Sequence, residues 1–122
     1  MKVLVVCTVP FEINGIVNVI MNYYTNMKCD SVKFDFIAHT NIDERLRKRI
    51  EDNGDKIFIL PNRKKNVYGY IRQLQRILED GKYDIMHVHG NSALMEIELF
   101  AARKIKIKKI VHAHSTQCTY KI

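Results

Sequence analysis

Lys2-Val3-Leu4-Val5-Val6-Cys7-Thr8, the loop Val9 to Asn14, and then Gly15-Ile16-Val17-Asn18-Val19-Ile20-Met21-Asn22-Tyr23-Tyr24 form the stretch on which the fold turns. From Val3 to Val6 the run is apolar without alternation, as a strand must be when both of its faces are buried. The period then changes. Ile16, Ile20, Tyr23 and Met27, flanked by Val17, Met21 and Tyr24, mark a helical stripe over Gly15 to Lys28, broad enough to pack on a sheet. A buried strand handing over to an amphipathic helix is the opening of a parallel βα unit.

Outward from this unit the pattern repeats. Val32 to Ala38 reads as a second strand. Asp43 to Asn53 is a short helix with Ile42, Leu46 and Ile50 four apart, stopped by Asn53-Gly54. Lys56 to Leu60 is a third strand, closed by Pro61. Asn66 caps a helix with Val67, Ile71, Leu74 and Leu78 on one face, and Gly81 stops it. The basic residues Arg63, Lys64 and Lys65 before it read as a solvated loop. Asp84 to His89 is strand four, Ser92 caps a helix to about Lys104, and Lys109 to Ala113 is strand five. Right-handed crossovers then give the strand order 3-2-1-4-5. The expected architecture is α/β, a three-layer Rossmann-like parallel sheet of about five strands.

The 122 residues fit one domain, 1–122, and 47% hydrophobic with 27% charged residues supplies a core and excludes disorder. Twenty Lys and Arg against thirteen Asp and Glu give a net charge of +7. That favours nucleotides, phosphorylated lipids, membrane surfaces or nucleic acid as partners, and equally suits a solvated basic surface. No apolar run approaches the roughly 20 residues that cross a bilayer, and Met1 to Thr8 is too short for a signal peptide. A cytoplasmic location is expected. Cys7, Cys29 and Cys118 are odd in number and widely spaced, so they read as reduced thiols.

Ligands of an open parallel sheet bind beyond the carboxyl ends of its strands, where the strand order reverses. Three loops meet there: Val9 to Gly15, His89 to Ser92, and His114 to Cys118. Gly15 opens a helix, so its backbone either approaches an anion at the helix N-terminus or eases a tight turn. The G-x-G-x-x-G and G-x-x-x-x-G-K-[ST] patterns are missing, which argues against NAD and against a P-loop nucleotidase. Four of the five histidines form two H-x-H pairs, His87 with His89 and His112 with His114, at the ends of neighbouring strands. Alternation places each pair on one face, with His87 and His112 deeper, as core residues, and His89 and His114 nearer the crevice. Imidazoles bind zinc, but Asp84 and Glu96 lie too far away to complete a ligand set, so no metal is expected.

Asn14-Gly15-Ile16, Ile20-Met21-Asn22-Tyr23-Tyr24 and Phe34-Asp35-Phe36-Ile37-Ala38-His39 together resemble the start of family-4-type bacterial glycosyltransferases of capsule and exopolysaccharide biosynthesis. Tyr83-Asp84-Ile85-Met86-His87-Val88-His89-Gly90 resembles the family's Y-D-I-V-H-V-H-G strand. His112-Ala113-His114-Ser115-Thr116-Gln117-Cys118 resembles its H-S-H-N-T-x-C segment. Many members carry Gly-Gly where this chain has Asn14-Gly15, and Asn where it has Ser115. The resemblance implies the N-terminal, acceptor-side half of a GT-B fold, with the C-terminal donor-binding domain absent from this chain. It implies a retaining sugar transfer from a nucleotide-sugar donor to a glycan acceptor, lipid-linked and on the cytoplasmic membrane face, without metal or other cofactor. Asn14 and Gly15 would lie near the donor phosphates, and His114 would orient the transferred sugar as the catalytic contact. His89, Gly90, Asn91 and Ser115 would bind sugar or acceptor.

On that reading the isolated chain is an inactive half, a fragment or a split subunit with a partner chain that completes it, in peripheral contact with the inner membrane face. The alternative is a non-catalytic Rossmann-like binding module or a partner subunit of a split transferase. A nucleic-acid-binding protein is a further rival that only the charge suggests, without a recognised motif.

Overall fold

The computed structural model describes residues 1–27, 29–39, 41–90 and 95–113. In chain order these form β1 (Lys2–Cys7), α1 (Gly15–Met27), β2 (Lys33–Ala38), α2 (Glu44–Asp52), β3 (Lys56–Ile59), α3 (Val67–Gly81), β4 (Ile85–Gly90), α4 (Glu96–Ala101) and β5 (Lys108–Ala113). The strands make one parallel sheet in the order β3-β2-β1-β4-β5, as the crossover rule requires. The order reverses between β1 and β4, where Cys7 pairs with His89.

Alternation along β1 splits the core into two layers. Val3, Val5 and Cys7 point to one face and pack with Ile16, Val17, Ile20, Met21 and Tyr24 of α1 and with Ile50 of α2. Leu4 and Val6 point to the other face and pack with Tyr70, Leu74 and Leu78 of α3 and with Met86 and Val88 of β4. A strand buried on both sides has no place for a polar residue in its middle, hence the unbroken apolar run.

The helical stripes are narrower than, or displaced from, the expected ones. Tyr23 and Met27 are exposed: they border a cavity between α1 and the sheet, on the flank where the Tyr23 ring comes within 6.3 Å of His87 and His112. On α3 the buried row is Tyr70, Leu74 and Leu78, and Val67 faces outward. Asn66 caps α3 as expected, its Oδ1 accepting the Gly69 N–H at 3.0 Å. Gly81, expected to stop α3, instead lies inside it, and Lys82 takes the left-handed turn with φ 50°. A side chain at Gly81 would run into the Tyr83 ring, 2.2 Å from its Cβ position, so packing demands the glycine. Helix α4 ends at Ala101, short of the expected Lys104, and its expected cap Ser92 lies outside the described residues.

The amino ends of the strands are knitted together by polar bonds. Asp84 accepts the Lys2 N–H at 2.8 Å and returns its own N–H to the Lys2 carbonyl, while Lys108 N–H reaches the Asp84 carbonyl. Asp35, buried in β2, accepts the Tyr83 hydroxyl at 2.6 Å and the Lys56 N–H at 3.2 Å. These bonds join four of the five strands and the turn before β4 at one end, leaving the opposite end for ligands.

Candidate functional site

At the carboxyl end of β1, Asn14 caps α1. Its Oδ1 accepts the Val17 N–H at 2.9 Å and its Nδ2 donates to the Pro10 carbonyl at 3.1 Å, while Asn18 N–H closes the first turn on the Asn14 carbonyl. A helix leaves four N–H groups unclaimed in its first turn. Asn18 N–H makes the first intrahelical bond and the Asn14 cap takes the Val17 N–H, so among the described residues the N–H groups of Gly15 and Ile16 remain at the tip. Gly15 is exposed, its φ is not positive, and a Cβ built on it meets nothing within 4 Å. Neither backbone strain nor crowding therefore requires glycine here, which removes the tight-turn explanation.

Gly90 is the opposite case. A Cβ there would sit 2.4 Å from Thr8 Oγ1 and 3.0 Å from Met95, so the fold itself needs this glycine. Thr8 clamps β1 to β4 by donating both its N–H and its hydroxyl to the His89 carbonyl, at 3.1 and 2.9 Å. Cys7, in register with His89, donates its thiol to the Val9 carbonyl, and burial pushes its pKa up to about 11. It stays protonated and is a poor nucleophile.

His87, His89 and His112 gather on the α1 face of β4 and β5. His89 stands in register with His112 and His87 with Ile110. The His87 and His89 rings are 4.1 Å apart, His89 and His112 5.2 Å, and His87 stacks parallel to His112 at 5.9 Å. The edge of Tyr23 meets the group, 6.3 Å from both His87 and His112. The expected inner and outer roles are reversed in burial. His89 is 1% exposed, whereas His87 and His112 are half-buried. Below the rings a mainly apolar cavity of about 220 Å³ runs between α1 and the sheet, lined by Val5, Ile20, Tyr23, Phe34, Ile85 and Ile110 among others.

A second polar group, missed in the sequence, underlies the same end of the sheet. Arg63 is not solvated: it is 4% exposed and forms a two-point ion pair with Glu98 of α4, which is fully buried. His39, just after β2, uses Nδ1 to accept the Arg63 N–H at 3.4 Å and Nε2 to donate to the Thr8 carbonyl at 2.9 Å, a tautomer assigned from those partners. Burial pushes its pKa below the ordinary histidine value, the nearby Arg63 adds to the fall, and the Thr8 carbonyl opposes it. The signal was present in the sequence: Met95, Glu98 and Ala102 share one helical face, which puts a carboxylate on the buried stripe.

Gly15, His89 and Gly90 are thus brought to one edge, with Asn14 serving as cap. Strand β5 ends there too, Ala113 pairing with Gly90. Asn91, His114 and Ser115 lie outside the described residues.

Residues 13–121 match the sequence profile of Glycosyltransferase Family 4. No curated protein matches the chain. Among solved structures, MurG of Acinetobacter baumannii is similar in fold, with a TM-score of 0.69 at 15% identity over 98% of this chain. The match covers 36% of the MurG chain, so these residues span about a third of that protein's length. No helix among the described residues is long and apolar enough to cross a membrane. With its five-stranded Rossmann-like sheet, one half of a GT-B fold, and a profile match over nearly its whole length, the chain belongs to glycosyltransferase family 4.

Proposed function

We propose that this chain is the acceptor-side half of a retaining glycosyltransferase that moves a sugar from a nucleotide-sugar donor to a lipid-linked glycan of the capsule or exopolysaccharide type. The observation that carries the proposal is Gly15: an exposed glycine that neither φ nor packing demands, at a helix tip with two N–H groups left over. Such a tip accepts a diphosphate, and a side chain at Gly15 would intrude on it. His114 orients the transferred sugar. His89, Gly90, Asn91 and Ser115 line the acceptor side.

One wall of a cleft cannot both orient the donor and stabilise its leaving diphosphate. Positioning contributes roughly 7 to 11 kcal/mol to lowering a barrier and electrostatic stabilisation several more, so a second, donor-binding domain or partner chain is required for turnover. The 122 residues alone are inactive. The transfer routes no step through a metal ion. The net charge of +7 favours peripheral binding to the anionic cytoplasmic face of a membrane, where a lipid-linked acceptor is held.

The test is a radiolabelled-sugar transfer assay on the isolated chain and on its fusion to a donor-binding domain, with and without His114→Ala. The isolated chain is expected to be silent, the fusion active and the substituted fusion strongly impaired. Multiple turnover by the isolated chain would refute the half-site reading. A fully active His114→Ala fusion would remove His114 from the site.

A further inference from the structure

We infer that His87, His89 and His112 form a binding site for a divalent transition-metal ion, zinc by its ligand chemistry, that clamps β5 to β4. The sequence argued against a metal because two H-x-H pairs offered no carboxylate to complete a set. The structure supplies the third ligand from the neighbouring strand.

Residues two apart on a strand are separated by about 6.6 Å and register partners on adjacent strands by about 4.8 Å, both on the same face. His87, His89 and His112 therefore occupy three corners of one rectangle on the sheet, and Ile110 is the fourth. Imidazoles reach inward from such corners, and one ligand nitrogen from each of the three lies within 4.8 Å of the others. Nitrogens sharing a tetrahedral zinc, each about 2.0–2.1 Å from the ion, stand a little over 3 Å apart, so modest rotation about the side-chain bonds closes the set.

Packing alone does not account for the trio. At the equivalent positions on the adjacent strand β1, Val5 pairs with His87 and Cys7 with His89, and both fill the layer under α1 with small, weakly polar or apolar groups. Three imidazoles next to the apolar cavity instead present three borderline-soft nitrogens, a set suited to Zn²⁺ and, by the same chemistry, to Co²⁺, Ni²⁺ or Cu²⁺. Three protein ligands leave a fourth position for water or a small anion. The consequence is mechanical. Strand β5 is an edge strand with Ile110 and Val111 exposed, and an ion bound to both strands fixes its carboxyl end, from which the chain passes to His114.

The inference shares His89 with the proposed acceptor side and is tested without activity. The chain, purified without a metal-affinity tag and stripped with chelator, is titrated calorimetrically with zinc sulfate. Its cobalt complex is examined for the strong visible absorption of four-coordinate nitrogen ligation. One ion per chain is expected, with a rise in melting temperature. His112→Ala is expected to weaken binding more than about 100-fold, beyond the 10–100-fold typical of losing an outer-shell partner. His112→Cys, which restores a zinc ligand, is expected to recover most of it. Circular dichroism in chelator checks that each variant folds. A folded wild-type chain that binds no zinc overturns the inference, as does equal zinc affinity in wild type and His87→Ala/His112→Ala.

Discussion

Arg63 Nη2 lies 2.7 Å from Glu98 Oε1 and its Nε lies 3.1 Å from Oε2, a pair sealed from solvent that joins the loop after β3 to α4. Removing one member of a buried pair strands the other charge, whereas replacing both with apolar groups does not. Glu98→Ala is expected to cost about 3–5 kcal/mol, and Arg63→Met/Glu98→Leu to regain most of that loss. Urea denaturation measures both. A single-variant loss below about 1 kcal/mol, the worth of an exposed pair, would contradict the buried geometry.

The two glycines at the ligand edge are expected to respond oppositely. Gly15→Ala meets open space in a helical first turn, so it leaves stability unchanged or raises it by about 0.4–1 kcal/mol. Gly90→Ala pushes into Thr8 and Met95 and should cost about 1–3 kcal/mol. In an active two-domain fusion, Gly15→Val is expected to raise the donor KM while the melting temperature holds. A Gly15 variant that unfolds the chain would assign that glycine to the fold.

Stability is expected to fall in mild acid. His39 has a folded pKa below its ordinary 6.5, so as pH drops the unfolded chain takes up the proton first. The His39 contribution is fully present above about pH 6.5 and is lost as pH falls toward the lower folded value. Urea midpoints measured between pH 8 and 5 should show this decline, and His39→Gln should make it shallower. An identical slope in the variant would show that His39 is not its source.

Lys82 holds φ at 50°, a conformation that costs an ordinary residue roughly 1–2 kcal/mol relative to the right-handed one. Lys82→Gly is expected to stabilise the chain, with a gain of about 1 kcal/mol at most once the added freedom of the unfolded state is subtracted. Thermal unfolding at constant pH is the check. A lowered melting temperature would mean that the Lys82 side chain matters more than its backbone.

The fold was legible because each strand, loop and helix obeys one period at a time. Val3 to Val6 could be nothing but a doubly covered strand, and Ile50, Leu74 and Leu78 fell where the helical stripes put them. What escaped was of two kinds. Tyr23 and Met27 satisfy the helical period yet stay exposed, because periodicity gives the face of a helix but not how closely it sits on the sheet, and a cavity opens beside them. Arg63 and Glu98 are thirty-five residues apart, and nothing local distinguishes a buried arginine in a basic loop from a solvated one. That Gly15 and His89 come to the carboxyl edge of the sheet was readable from their place in the βα pattern, whereas the burial of His89 was not. The meeting of His112 with the H-x-H pair on β4 depended on a register that only the folded sheet fixes.

The bonds of Asp84 to Lys2, and of Asp35 to Tyr83 and Lys56, give the sheet a stiff heel. The other end carries loops rooted in that heel through strands six residues long or shorter. At that end Thr8 still ties β1 to β4 through the His89 carbonyl, so the two central strands are braced at both ends. Amide hydrogens at the heel should exchange slowly and those toward Gly15 and Ala113 faster. On the proposed reading, a donor-bearing wall that closes on this edge leaves the base undisturbed.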